Sequence, residues 1–211
     1  MIILVRHAES ERNKHLHENR EGELPDIGDP ELTQEGRLHA LETASYLIKI
    51  CEKNSIEPIV WSSKYTRAQQ TAEPFLTFAK RNYNVDKDLR EYSRVGRTFP
   101  DWVTPDESWE SFCQRVFIFA KKLKELDQSE TYIIFGHSLF FSVLLSYLST
   151  QEEYEFCNKS FAIHLPNCSI STIKWCKSNK FGDGDHWEIY NVGFVGHLRE
   201  ATGTHTAFGC L

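Results

Sequence analysis

The stretch Met1 to Ser10 constrains this chain most: four β-forming residues, Ile2, Ile3, Leu4 and Val5, run straight into Arg6 and His7. A short apolar run bounded by polar residues reads as a strand buried on both faces, and such strands belong to sheets covered by helices. Arg6 and His7 then stand where the strand meets a loop. In open α/β sheets that carboxyl edge is where ligands bind. A guanidinium forks onto phosphate oxygens, and an imidazole can attack phosphorus. Taken alone, the segment reads equally well as two surface residues at a strand end.

A second run repeats the pattern. Thr131 to Phe135 is β-prone and leads into Gly136, His137 and Ser138. Ser138 is the expected N-cap of an apolar helix over Leu139 to Leu148, which puts His137 at a strand-to-helix turn whose free amides favour an anion. Between the two lies a third segment. Ile59 to Trp61 reads as a strand, Ser62 or Ser63 as an N-cap, and Tyr65 onward as a helix. Arg67 falls in its first turn, where a cation opposes the helix dipole unless an anion is close. A solvated arginine is the plain alternative.

The rest of the chain alternates strands and helices. A polar loop is expected from Ala8 to Glu31. A helix follows from Thr33, its N-cap, to Glu52, with Gly36 in the first turn at about 1 kcal/mol against alanine. Val85 to Leu89 is an edge-strand candidate, and Asp106 opens a helix carrying Trp109, Phe112, Val116, Phe119 and Leu123. Lys121, Lys122 and Lys124 read as a solvated face of that helix. Later strands are expected over Phe161 to Leu165, Ser169 to Trp175 and Trp187 to Tyr190, with a hairpin turn from Asn179 to Asp185. The pattern predicts an α/β fold: a three-layer αβα sandwich around a mainly parallel mixed sheet, with one domain over residues 1–198 and a tail over 199–211.

The 211 residues suit one domain with a sizeable core. A net charge of −6 argues against nucleic-acid binding, which needs many phosphate-neutralising cations. No apolar stretch reaches membrane-spanning length. The chain starts directly on its first strand, so no targeting peptide is expected and the protein is read as cytoplasmic. Its six cysteines (51, 113, 157, 168, 176 and 210) lack paired metal-ligand spacing and read as reduced, mostly buried thiols.

With Arg6-His7-Ala8-Glu9-Ser10 and Asn13, Asp29 to Arg37, Ser62-Ser63 through Thr71-Ala72, Leu89-Arg90-Glu91, Gly136-His137-Ser138 and the closing Asn191 to Leu198 in this order, the chain resembles the histidine phosphatase superfamily, in the branch of the phosphoglycerate mutases and small phosphatases. Most of the chain is covered. The departure is Ala8, where most members have glycine; a methyl is tolerable there if the backbone has negative φ.

The resemblance implies a metal-independent, cofactor-free phosphatase acting on phosphomonoesters through a phosphohistidine. His7 is then the nucleophile, and Glu91 the proton donor. Arg6, Asn13, Arg67 and a protonated His137 are the phosphate ligands. The plain reading of Glu91 is a carboxylate bridged to Arg90, Arg94 and Arg97, and Glu107 is the first substitute as acid. Two alternatives stand: a phosphoglycerate mutase, and a catalytically silent phosphate-binding module. The short segment from Glu91 to Trp109 points to a phosphatase, since a mutase must exclude water. The expected partner is a small phosphorylated substrate, with a phosphoprotein also open; the oligomeric state is not fixed. His15, His17, Arg20 and Arg94 are the candidates for substrate specificity. His15, His17, Asp26 and Asp29 match no metal-ligand spacing, and Asp183, Asp185 and His186 read as turn residues rather than ligands.

Overall fold

The computed structural model describes residues 1–18, 28–92, 107–150, 163–178 and 184–198. Its elements are β1 (Ile2–Arg6), α1 (Glu11–Glu18), α2 (Gln34–Lys53), β2 (Ile59–Ser63), α3 (Thr66–Ala79), β3 (Tyr83–Asp86), α4 (Trp109–Glu125), β4 (Tyr132–Gly136), α5 (Ser138–Thr150), β5 (Ile170–Cys176) and β6 (His186–Phe194). The strands form one sheet in the order β3-β2-β4-β1-β5-β6. β3, β2, β4 and β1 run parallel, while β5 and β6 are antiparallel to their neighbours.

The alternation within β1 sorts the two cores. Ile2 and Leu4 face α4 and α5 together with Tyr132 and Ile134, whereas Ile3 and Val5 face α2 and α3 with Ile133 and Phe135. A crossover between parallel strands is right-handed, so reversing its direction along the sheet moves the helix to the other face. From β1 the chain steps outward to β2 and β3 with α2 and α3 on one face, then returns to β4 with α4 on the other. The αβα sandwich follows. Where the direction reverses, the carboxyl ends of β1 and β4 lie side by side, with Arg6 paired to Gly136.

Several boundaries differ from the sequence expectation. The segment read as a loop from Ala8 to Glu31 contains α1, none of whose residues is buried. It lacks the apolar stripe that announces a helix. Its start is fixed instead by Asn13 Oδ1, which accepts from Ser10 N and Oγ at 3.1 and 2.9 Å, and by the Ser10–Leu32 bridge. Neither Ser62 nor Ser63 caps α3. β2 extends through both serines, and Asp29 Oδ2 takes the cap's place by accepting from Thr66 N and Oγ1 at 2.9 and 2.7 Å. Ser138 is not an N-cap but the first residue of α5, whose ladder starts at the His137 carbonyl. Val85 to Leu89 splits into the end of the edge strand β3 and a 3₁₀ turn, Lys87–Leu89. Ser108, rather than Asp106, caps α4.

Residues 163–165 form no strand; Phe161 lies outside the described residues, as do the tail from 199 and most of the hairpin turn. Lys122 and Lys124 do not simply face solvent: Lys122 pairs with Asp86 over the Trp61 ring, and Lys124 lies over Trp175. Thr33 caps α2 as expected, accepting from Gly36 N at 2.9 Å. A Cβ on Gly36 would lie 2.1 Å from the Glu9 carbonyl oxygen, which explains the glycine in that turn. No helix among the described residues is long and apolar enough to cross a membrane. Cys51, Cys113 and Cys168 are buried and Cys176 is half-buried, and none of the four is in a disulfide; Cys157 and Cys210 lie outside the described residues.

Candidate active site

Arg6, His7, Arg67 and His137 come together at the carboxyl edge of β1 and β4, and each is buried. β1 delivers Arg6 and His7, whose amides bond to the Ser169 and Gly136 carbonyls at 3.0 and 2.9 Å. The His7 Nδ1–H donates to the Ala8 carbonyl at 2.7 Å. That bond selects one tautomer and leaves Nε2 with its lone pair. Arg67 Nε lies 3.3 Å from it. Burial, reinforced by the Arg67 and Arg6 charges, pushes the His7 pKa well below the usual imidazole range.

His137 stands edge-on to His7, with ring centroids 5.2 Å apart. Its Nε2 is hydrogen-bonded to Ser63 Oγ at 2.9 Å, and Nδ1 has no partner within the protein. The sequence reading made this imidazole a third cation. The structure corrects that: burial first, then Arg67, His7, Arg6 and Arg115, hold its pKa well below the ordinary value. The ring is therefore held neutral near pH 7.

The guanidiniums remain charged. Burial lowers the Arg6 pKa to about 10, with Glu91 opposing and Arg67 adding to the effect. Arg6 Nη1 donates to the Leu165 carbonyl, and Nε has no partner within the protein. Arg67 lies in the first turn of α3, where the dipole disfavours a cation; Asp29 Oδ1 is 3.6 Å from its Nη1 and offsets this. Its guanidinium also sits over the Tyr65 ring at 4.6 Å.

Asn13 is brought to the same region. Its Oδ1 is taken by Ser10 and, at 3.3 Å, by Asn167 Nδ2, which also donates to the His7 carbonyl at 2.9 Å. Ala8 is fully buried and is not among the described non-glycine residues with positive φ, so its methyl packs without backbone strain.

Glu91 is half-buried, and its charge acts on both Arg6 and Arg67. It does not bridge to Arg90. Its oxygens accept from Leu139 N and Phe140 N, each at 3.2 Å, and from Tyr92 N at 3.1 Å. One carboxylate thus caps α5 while it looks onto the arginines. Arg90 pairs instead with Glu107 at 3.0 Å. Buried Glu107 is also gripped by Arg115, whose Nη1 donates to the Asp88 and Arg90 carbonyls at 2.7 and 2.8 Å. This ion-pair group holds the backbone that presents Glu91, and it removes Glu107 as a substitute acid.

His15 and His17 lie on α1, neither of them buried, while Arg20, Asp26, Arg94 and Arg97 fall outside the described residues. Among the described residues His15, His17 and Asp29 form no metal-donor group. Sequence reasoning did not find Asn167, and it saw Asp29, Ser63 and Thr71 (which accepts from Ala8 N at 2.9 Å) without these roles. Each acts across tens of residues of sequence and carries no local signal. Thr66, the partner of Asp29, gives no hint of the pairing either.

The fold recurs among solved structures. A mycobacterial glucosyl-3-phosphoglycerate phosphatase matches with a TM-score of 0.64 at 18% identity, over 91% of this chain and 97% of that one. A phosphoserine phosphatase from Entamoeba histolytica, in complex with 3-phosphoglyceric acid, matches at 0.61 and 18% identity, over 93% and 98%. At such identities the likeness establishes the fold alone. No curated protein matches the sequence. The family model of the histidine phosphatase superfamily (branch 1) matches residues 2–182. With that match over most of its length, the chain belongs to the histidine phosphatase superfamily.

Proposed function

We propose that this protein is a phosphatase that hydrolyses small phosphomonoesters through a phosphohistidine on His7. The observation that carries the reading is the state of that ring: Nδ1–H is spent on the Ala8 carbonyl, and the unprotonated Nε2, which accepts from Arg67 Nε at 3.3 Å, faces the buried cations. A buried neutral imidazole beside two fixed guanidiniums is prepared to attack an electrophilic anion. In the first step Nε2 bonds to phosphorus while the P–O bond to the alcohol breaks. Arg6, Arg67 and the Asn13 amide bind the equatorial oxygens, where charge spreads in the transition state. His137 joins them by taking up a proton as the phosphate dianion enters, because that charge offsets the burial holding it neutral. Glu91 protonates the departing oxygen, then accepts a proton from the water that cleaves the phosphoenzyme.

Phosphatase and mutase share these steps and differ in what accepts the phosphoryl group. Two of the similar folds carry names of phosphatases of small phosphorylated metabolites. Phosphorylated glycerates and phosphoserine are therefore the first esters to assay. The test is phosphate release across a panel of phosphomonoesters, with acid-labile phosphoenzyme trapped in parallel. Turnover is expected for the native chain, with both signals lost in His7→Ala. A full phosphoenzyme signal in His7→Ala refutes the nucleophile. Isomerisation of 3-phosphoglycerate with a bisphosphoglycerate primer, without phosphate release, makes the protein a mutase, and binding of vanadate without turnover makes it a silent module.

A further inference from the structure

Far from the site above, the β5–β6 hairpin brings together a thiol, an imidazole and a carboxylate. Cys176 is directly opposite His186 in the antiparallel register, and Glu188 lies two residues further along the same face of β6. Their neighbours Trp175 and Trp187 face the other way, into the core. One donor atom from each of Cys176, His186 and Glu188 lies within 4.8 Å of the others, and His186 Nε2 is 3.9 Å from Glu188 Oε1. In a tetrahedral zinc site, bonds of about 2.0–2.3 Å set such atoms roughly 3.3–3.8 Å apart. Closing the group therefore takes about an ångström of side-chain motion on half-buried residues.

We propose that Cys176, His186 and Glu188 bind a divalent ion of the zinc type through one sulfur, one nitrogen and one oxygen, with water in the fourth position. The surrounding bonds support this assignment. His186 Nδ1–H donates to the Gly184 carbonyl at 2.8 Å, which fixes the tautomer with Nε2 free to ligate. The Tyr190 hydroxyl donates to Glu188 Oε2 and so orients the carboxylate with Oε1 toward the histidine. On binding, the Cys176 S–H bond breaks, a sulfur–metal bond forms, and the proton leaves to solvent. Lys174, opposite Glu188 in the register, is the opposing cation, and it is exposed on a long stem that can turn away.

Because Ile170 pairs with Val5, six residues of extended β5 put this group about 20 Å from the Arg6–His7 end of the sheet. The ion acts as a clip on the edge hairpin and takes no part in phosphoryl transfer. The sequence reading of His186 as a turn residue gives way to its place in the strand β6.

The experiment is titration of the chelator-treated full chain with Co²⁺, followed by its visible bands and its near-ultraviolet thiolate-to-cobalt band. One equivalent is expected to give both, and Zn²⁺ to displace it. Cys176→Ser is expected to abolish the thiolate band, and His186→Ala to weaken binding at least roughly tenfold. One equivalent of Zn²⁺ is expected to raise the unfolding temperature of the native chain but not of Cys176→Ser. Absence of a thiolate band in the native chain overturns the site. So does a band that survives Cys176→Ser, which would assign the ion to another thiol.

Discussion

Acid should unfold this protein through the imidazoles of its own active site. His7 and His137 have folded-state pKa values well below 6.5, the ordinary value. Below 6.5 the unfolded chain binds protons that the folded chain refuses, so their stabilising contribution is full above that pH and is lost as pH falls toward the folded values. For each ring that stays neutral when folded, RT ln(1 + 10^(6.5 − pH)) gives about 2 kcal/mol lost by about pH 5. Two rings give at most about 4 kcal/mol. His197, half-buried with its pKa lowered to about 4 by burial, adds in the same direction, less after solvent screening. Against a typical total of about 5–15 kcal/mol, this carries the fold toward its limit.

The assay is urea unfolding in phosphate-free buffer from about pH 7.5 to about pH 5, read by tryptophan fluorescence. The midpoint is expected to fall steeply below about pH 6.5. His137→Gln, which cannot take up that proton, is expected to flatten the slope by about 1.4 kcal/mol per pH unit. A midpoint that stays constant across the range refutes the reasoning. An equal slope in His137→Gln and the native chain would remove His137 from the acid loss.

Three further outcomes follow from the contacts. Glu91→Gln is expected to cost about 10²–10⁴-fold on alkyl phosphates and much less on p-nitrophenyl phosphate, whose leaving group needs little protonation; equal losses on both would leave Glu91 only as the cap of α5. Arg115→Met leaves buried Glu107 with Arg90 alone and frees the Asp88 and Arg90 carbonyls, so a loss of up to about 3–5 kcal/mol is expected by denaturant unfolding. Adding Glu107→Gln should restore part of that loss, and no recovery would refute the under-compensated charge. Gly36→Ala gains about 1 kcal/mol of helix propensity but drives a methyl into the Glu9 backbone. Net destabilisation of about 1–3 kcal/mol is expected, and a stabilised Gly36→Ala protein would show that α2 can move away freely.

The elements most legible in the sequence are those whose own residues specify them. β1 and β4 are continuous apolar runs, and both end where the pattern stops, at Arg6 and Gly136. α2 announces itself through Thr33 and its periodic apolar face, and α4 through Phe112, Val116, Phe119 and Leu123. Local sterics and burial set these, so a window of one element is enough. The same two runs suffice to put Arg6, His7 and His137 at the sheet's carboxyl edge, because each residue directly follows or ends its strand. α1 is illegible because no buried face marks it, and it is held by Ser10 and Asn13 against distant Leu32 and Asn167.

Tertiary structure alone decided the charge states and the supports. His137 resembles a cation in sequence, yet burial among Arg67, His7, Arg6 and Arg115 keeps it neutral. Glu91 lies next to Arg90 in the chain but spends its oxygens on α5, while Arg90 turns to Glu107. Asp29 is an acidic loop residue until folding sets it on Thr66 and Arg67. Hydrogen bonds and desolvation depend on distances across the fold, and the amino-acid order does not contain those distances until the β1–β4 edge has been assembled.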